Sequence, residues 1–140
     1  MTILYMLDTN IASELVKPGR GRIGEKVRKH GLASLSISTV VAAELRFGYL
    51  KRGSDKLAGM VEDAIGFFNV LPFDDRASAE YGAVRLELES RGTPIGPNDL
   101  FIAAHARSLD LTLVTDNIRE FPRVDGLKLE NWIEREAPNV

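Results

Sequence analysis

Residues 3–7, Ile-Leu-Tyr-Met-Leu, form an unbroken apolar run that ends at Asp8-Thr9-Asn10. A run with no alternating polar face suits a central parallel strand, buried on both sides beneath helices. The three residues that end it all favour helix N-caps, and residues 11–16 continue with helical character until Lys17-Pro18-Gly19. A strand passing straight into a helix is the beginning of a βαβ unit, and the rest of the chain repeats the alternation.

Residues 19–31 are basic and punctuated by glycine, which predicts a mobile loop followed by a short helix. Residues 32–38 alternate and predict a second strand, after which Ser38 or Thr39 caps a helix over 40–51. Leu57, Met60, Val61, Ala64, Ile65 and Phe68 then recur at the helical period. Residues 69–73 predict a short strand ending at Asp74-Asp75. Residues 76–91 predict a helix with Tyr81, Val84 and Leu88 on one face. Pro97 and Asn98 precede a helix opening at Asp99, residues 111–115 predict a strand ending at Asp116-Asn117, and residues 126–129 a last edge strand. The expectation is one α/β domain over residues 1–140, with a central mostly parallel sheet of about four to five strands flanked by helices.

Composition narrows the chemistry. The chain has no cysteine, which excludes disulfides, thiolate nucleophiles and Cys-ligated zinc. Its two histidines, His30 and His105, are too few for a His-rich metal site. No apolar run approaches the ~20 residues of a membrane span. The start lacks a basic n-region and meets a charge at Asp8, so no secretory signal is expected and the expected compartment is the cytoplasm. The net charge of −2 hides an asymmetry: residues 1–56 carry ten bases and five acids, and the remainder eight bases and fifteen acids. That basic N-terminal excess keeps a polyanionic partner open.

Four acids fall at special places. Asp8 ends the first strand, Asp116 ends the strand over 111–115, and Asp99 sits in the first turn of a helix. Glu44 lies about five residues inside the helix after the second strand, within the apolar stretch Val40-Val41-Ala42-Ala43-Leu45, where a charge needs a partner. Each Asp alone also suits an ordinary N-cap. In a parallel sheet, however, strand C-termini and the following helix N-termini share one edge, where ligands bind. Carboxylates gathered there raise one another's pKa unless a cation intervenes. All-oxygen ligation selects Mg2+ or Mn2+, and two such ions held by shared carboxylates are a known arrangement for phosphodiester hydrolysis.

The segments MLDTNIASEL, STVVAAELRFG and PIGPNDLFIAAHARSLDLTLVTDNIREFPRV resemble the PIN-domain ribonucleases, specifically the VapC toxins of type II (VapBC) toxin–antitoxin pairs. The likeness runs from Leu4 to Trp132. It implies a PIN fold and a Mg2+-dependent acidic pocket (Mn2+ being an alternative), in which Asp8, Glu44 and Asp99 match the metal-binding acids. The fourth position is open. Many members place Asp where this chain has Asn117, with Asp116 one residue early, so either Asp116 turns inward or Asn117 serves as a neutral ligand. Thr9 and Thr115 are expected to orient water or a carboxylate. Lys17, Arg20, Arg22, Lys26, Arg28 and Lys29, then Arg46, Lys51, Arg52, Lys56 and Arg119, are candidates for a phosphate-guiding rim. Single-stranded RNA suits such a pocket better than duplex DNA. The resemblance points to a structured RNA such as initiator tRNA, cut in its anticodon loop. It also implies a VapB-type antitoxin that blocks the pocket with an Arg or Lys, a homodimer with the 57–68 segment as a candidate interface, and a toxin–antitoxin complex on operator DNA. The competing expectations are a catalytically weak PIN-like binding module, favoured by Asn117, and a nuclease or phosphatase with another substrate. His105 is expected to be structural; Phe47, Tyr49 and Trp132 are expected to pack in the core or an interface.

Overall fold

In the computed structural model, which describes residues 2–17 and 21–133, β1 (Tyr5–Leu7) passes through Asp8 into α1 (Thr9–Val16). Next come α2 (Gly21–His30), a 3-10 turn (Leu32–Ser34), β2 (Leu35–Ser38), α3 (Thr39–Arg52) and α4 (Asp55–Phe67). Then follow β3 (Asn69–Leu71), α5 (Asp75–Ser90), α6 (Pro97–Ser108), β4 (Thr112–Val114), a second 3-10 turn (Phe121–Arg123) and β5 (Leu129–Glu130).

The five strands lie in the order β3-β2-β1-β4-β5, and every neighbouring pair is parallel. From β1 the chain moves outward through β2 to β3. It then crosses back by way of α5 and α6 to add β4 and β5 on the other side. Connections from β1 and into β4 therefore lie on opposite sides of the pair, and a crevice opens at their carboxyl ends. This topological switch point is where the site lies.

The three inner strands carry the core: Met6, Leu7, Leu35, Ile37, Leu113 and Val114 have no exposed surface. Helices cover them with Ile11, Val41 and Ile102, and Phe121 closes the end of the sheet. In α4 the apolar stripe faces this core, with Val61 and Ile65 buried and Leu57, Met60, Ala64 and Phe68 packed against them. The stripe is therefore spent on the fold, and the helix leaves Phe67 on its outer side, 71% exposed. Trp132 is buried and stacks on His30 with centroids 4.4 Å apart.

Several boundaries differ from the sequence reading for local reasons. Residues 32–34 turn rather than extend, because Gly31 adopts φ 84 and the Ser34 hydroxyl donates back to the His30 and Gly31 carbonyls. The helix predicted to open at Asp99 begins two residues earlier, because Pro97 lacks the N–H that a first turn leaves unpaired. The edge strand starts only at Leu129, after a turn in which Gly126 has φ 75. Pro18, Gly19 and Arg20 lie outside the described residues.

Candidate active site

Asp8 is 3% exposed, and its backbone N–H donates to the Val114 carbonyl at 2.9 Å, fixing it to the end of β4. Its Oδ1 accepts the Thr9 backbone N–H at 2.7 Å and caps α1. Its Oδ2 accepts the Thr115 hydroxyl at 2.7 Å. One carboxylate thus bridges the ends of the two strands that flank the switch point. The Thr9 hydroxyl donates in turn to Glu44 Oε1 at 2.9 Å, which draws the first turns of α3 toward the same edge.

Asp99 enters from the first turn of α6. Asn117 Nδ2 lies 3.3 Å from both Asp99 Oδ2 and Glu120 Oε2. Its backbone N–H donates to Thr115 Oγ1 at 2.9 Å, while its Oδ1 accepts the Glu120 N–H at 3.1 Å. Asp116, one residue earlier, accepts a hydrogen bond from Asn131 Nδ2 at 3.0 Å. The side chain that reaches Asp99 from this strand end is Asn117. Glu120 was not among the sequence candidates. The signal for it was the spacing: an Asn whose side-chain oxygen captures the N–H three residues on folds the chain back, carrying the residue at that position with it.

α3 and α6 are joined beneath the site. Ser38 caps α3 by accepting the Val40 N–H at 3.1 Å, and its hydroxyl lies 2.8 Å from Nδ1 of the buried His105. Burial holds the His105 pKa below its ordinary value, and the ring also donates to the Pro72 backbone carbonyl, which leaves Nδ1 to accept the serine proton. Buried and bonded to Ser38, His105 links α6 to the start of α3.

The electrostatics are those of crowded acids. Asp99 is pushed up to about 7, first by burial, then by the Asp8 charge and by a hydrogen bond shared with Glu120. Burial also raises Asp8, against the lowering effect of its Thr115 and Thr9 hydrogen bonds. The Asn117 amide holds Glu120 below the usual carboxylate range. The proton of the Asp99–Glu120 pair therefore resides on Asp99. Among the described residues, no three His, Asp or Glu side chains are arranged to hold a metal ion as they stand. The donor chemistry nevertheless fits a hard divalent cation: Asp8, Glu44, Asp99 and Glu120 offer carboxylate oxygens, whose mutual repulsion a cation would relieve, whereas Asn117 turns its amide nitrogen toward them.

The rim is less uniform than its composition. Arg46 is locked to Glu62 by two hydrogen bonds of 3.0 Å, and the Tyr49 hydroxyl donates to the same carboxylate at 2.8 Å. Arg46 thus joins α3 to α4 instead of standing free for phosphate. Lys17 makes an exposed pair with Glu14 at 3.1 Å.

A parallel five-stranded sheet with acids collected at its switch point defines an α/β protein with an acidic pocket at the carboxyl edge. Residues 5–127 match the PIN domain family. The chain belongs to the PIN-domain family, among its VapC members. It is 36% identical over 130 residues to ribonuclease VapC2 of Haemophilus influenzae, covering 92% of this chain and 98% of that one. It is likewise 36% identical over 129 residues to the tRNA(fMet)-specific endonuclease VapC of Salmonella typhimurium, covering 91% and 97%. The structure of DNA-bound VapBC from Salmonella typhimurium superposes with a TM-score of 0.88 at 36% identity, covering 94% of this chain and all of that one. Among the described residues, no helix is long and apolar enough to cross a membrane.

Proposed function

We propose that the chain is a divalent-metal-dependent endoribonuclease, the toxin of a type II toxin–antitoxin pair, hydrolysing phosphodiester bonds in RNA with a tRNA anticodon loop as its target. The observation that carries the reading is the convergence of Asp8, Glu44 and Asp99 at the switch point of a VapC-family sheet. Asp8, Glu44 and Asp99 would hold Mg2+ (or Mn2+), with Glu120 on the fourth side, oriented by the Asn117 amide. When bound, the ion supplies charge neutralisation of the phosphodiester and activation of the attacking water. The protein's own contribution is positional. Thr115 and the Thr9 N–H fix both oxygens of Asp8, the Thr9 hydroxyl orients Glu44, and the Asn117 amide donates to both Asp99 and Glu120 and positions the pair. The Thr9 and Thr115 hydroxyls are both engaged by carboxylates, and in this reading water is the attacking group.

The partners follow from the family. The neighbour is a DNA-bound VapBC complex, which supports a VapB-type antitoxin for this chain and a complex that binds DNA; a toxin homodimer, and operator contact through the antitoxin, are part of the same proposal. An apolar groove of about 280 Å3, walled by Leu15, Val27, Leu32, Ala64, Phe67 and Phe68, suits an amphipathic antitoxin helix.

The test is expression of wild type and Asp8→Asn, with 5′-end mapping of cellular RNA. Growth arrest and discrete new ends with the wild type alone are expected. Equal growth of the two strains would sink the reading and favour the catalytically weak binding module, for which the neutral Asn117 is the supporting observation.

A further inference from the structure

A cleft of about 260 Å3 runs from the acidic edge between α1 and α3, and its lining includes Thr9 and Glu44 at that edge and Lys17 and Arg52 beyond them. Because β1 and β2 are parallel neighbours and each passes directly into its helix, α1 and α3 leave the sheet edge in the same sense. Thr9 to Lys17 and Glu44 to Arg52 are each eight residues apart, about 12 Å along a helix. Both cations therefore stand at the end of the cleft away from the acids. Between them the floor is apolar, formed by Val16, Leu45, Leu57 and Val61, while Asn10 and Ser13 add polar groups to the wall.

Two features mark the cleft as a place kept open. Arg46 is tied to Glu62, whereas Arg52 makes no ion pair or side-chain hydrogen bond among the described residues. Gly48 sits in the middle of α3, where glycine is about 1 kcal/mol less favourable than alanine. A Cβ at Gly48 would meet nothing within 4 Å, so packing does not require the glycine. It lines the cleft, where a side chain would fill the space.

We propose that this cleft is a subsite for the nucleotide beside the scissile phosphate of single-stranded RNA, with Arg52 and Lys17 taking the adjoining backbone phosphate; this rests on the ribonuclease reading above. An apolar floor with polar walls suits one base and its ribose, and the volume is too small for a duplex. The Lys17–Glu14 pair is exposed and weak, so a phosphate can take the lysine.

The experiment uses Gly48→Leu and Arg52→Gln, each verified as folded by thermal melting. Binding of a fluorescein-labelled single-stranded RNA is followed by anisotropy in the Asp8→Asn background over a range of KCl concentrations, and cleavage is followed in the otherwise wild-type chain. Gly48→Leu should weaken RNA binding about five- to hundredfold, the worth of one base contact. Arg52→Gln should lower the slope of log K against log salt by about 0.7, one phosphate contact on a single strand. If the wild type cleaves RNA and both variants bind and cleave like it, the subsite is overturned while the ribonuclease reading stands. If no cleavage occurs but both variants bind RNA more weakly, the cleft is an RNA-binding site without a scissile phosphate, and the ribonuclease reading and the subsite as proposed both fall. If RNA binding is unchanged and the variants instead lose the cognate antitoxin, the cleft belongs to a protein partner and the proposal is overturned.

Discussion

Asp8 does three things with one side chain: it caps α1, ties β1 to β4 through Thr115, and offers its charge to the crevice. Asp8→Asn keeps most of this geometry and removes the charge, so RNA cleavage should fall to background while the fold survives; a circular dichroism melt beside a cleavage assay checks both. The strand end after β4 gives a sharper contrast. Asp116 bonds to Asn131, whereas Asn117 and Glu120 face Asp99. Asp116→Ala should retain most of the cleavage rate, and Asn117→Ala and Glu120→Ala should each lower it at least about tenfold, within the range seen for groups that orient metal ligands. A reversed ranking would put Asp116 in the site. At this scale the sequence offered Asp8 and Asp99 as candidates because each sits at a strand or helix terminus that pattern locates, and Glu44 because a charge inside an apolar helical stretch needs a partner. It left the fourth position open, because adjacent residues at a strand end point to opposite faces and a one-residue choice is decided by what each can bond.

The βαβ elements were legible because each has a private signal: an apolar run, a capping residue, a helical stripe. The boundaries that shifted did so at residues 32–34, at Pro97 and at Gly126, where backbone preference outweighed hydrophobic pattern. What no local signal announces is the joining of elements. Ser38 and His105 are 67 positions apart, yet their 2.8 Å hydrogen bond ties the helix bearing Glu44 to the helix bearing Asp99. His105→Leu should destabilise the protein by about 1–3 kcal/mol, since it strands the buried serine hydroxyl. His105→Asn, whose Oδ1 can accept in place of Nδ1, should recover part of the loss. Urea midpoints of the two variants measure the difference.

For the whole molecule, the crowding of acids makes stability depend on pH and on metal together. In the metal-free protein Asp99 keeps its proton up to about 7, whereas an ordinary Asp gives it up near 3.8. Between those values the folded state binds more protons than the unfolded state, so this group makes stability fall as pH rises. Asp99→Asn should remove that slope, which isolates it from the opposite contribution of His105. Added Mg2+ should raise the wild-type Tm more at pH 8 than at pH 5.5, because at low pH protons compete for the same oxygens. An Mg2+ increment independent of pH would count against metal binding at these acids. The sequence by itself determined the alternation of strands and helices and the termini at which Asp8 and Asp99 sit, because these are consequences of short-range periodicity and capping. Only the tertiary structure decided that β4 returns beside β1, that Asn117 rather than Asp116 turns to Asp99, that Glu120 joins it, and that Arg46 is tied to Glu62 while Arg52 has no ion-pair partner among the described residues. These outcomes depend on which surfaces compete for the same partner once the chain has closed, and that competition has no expression in the chain read one segment at a time.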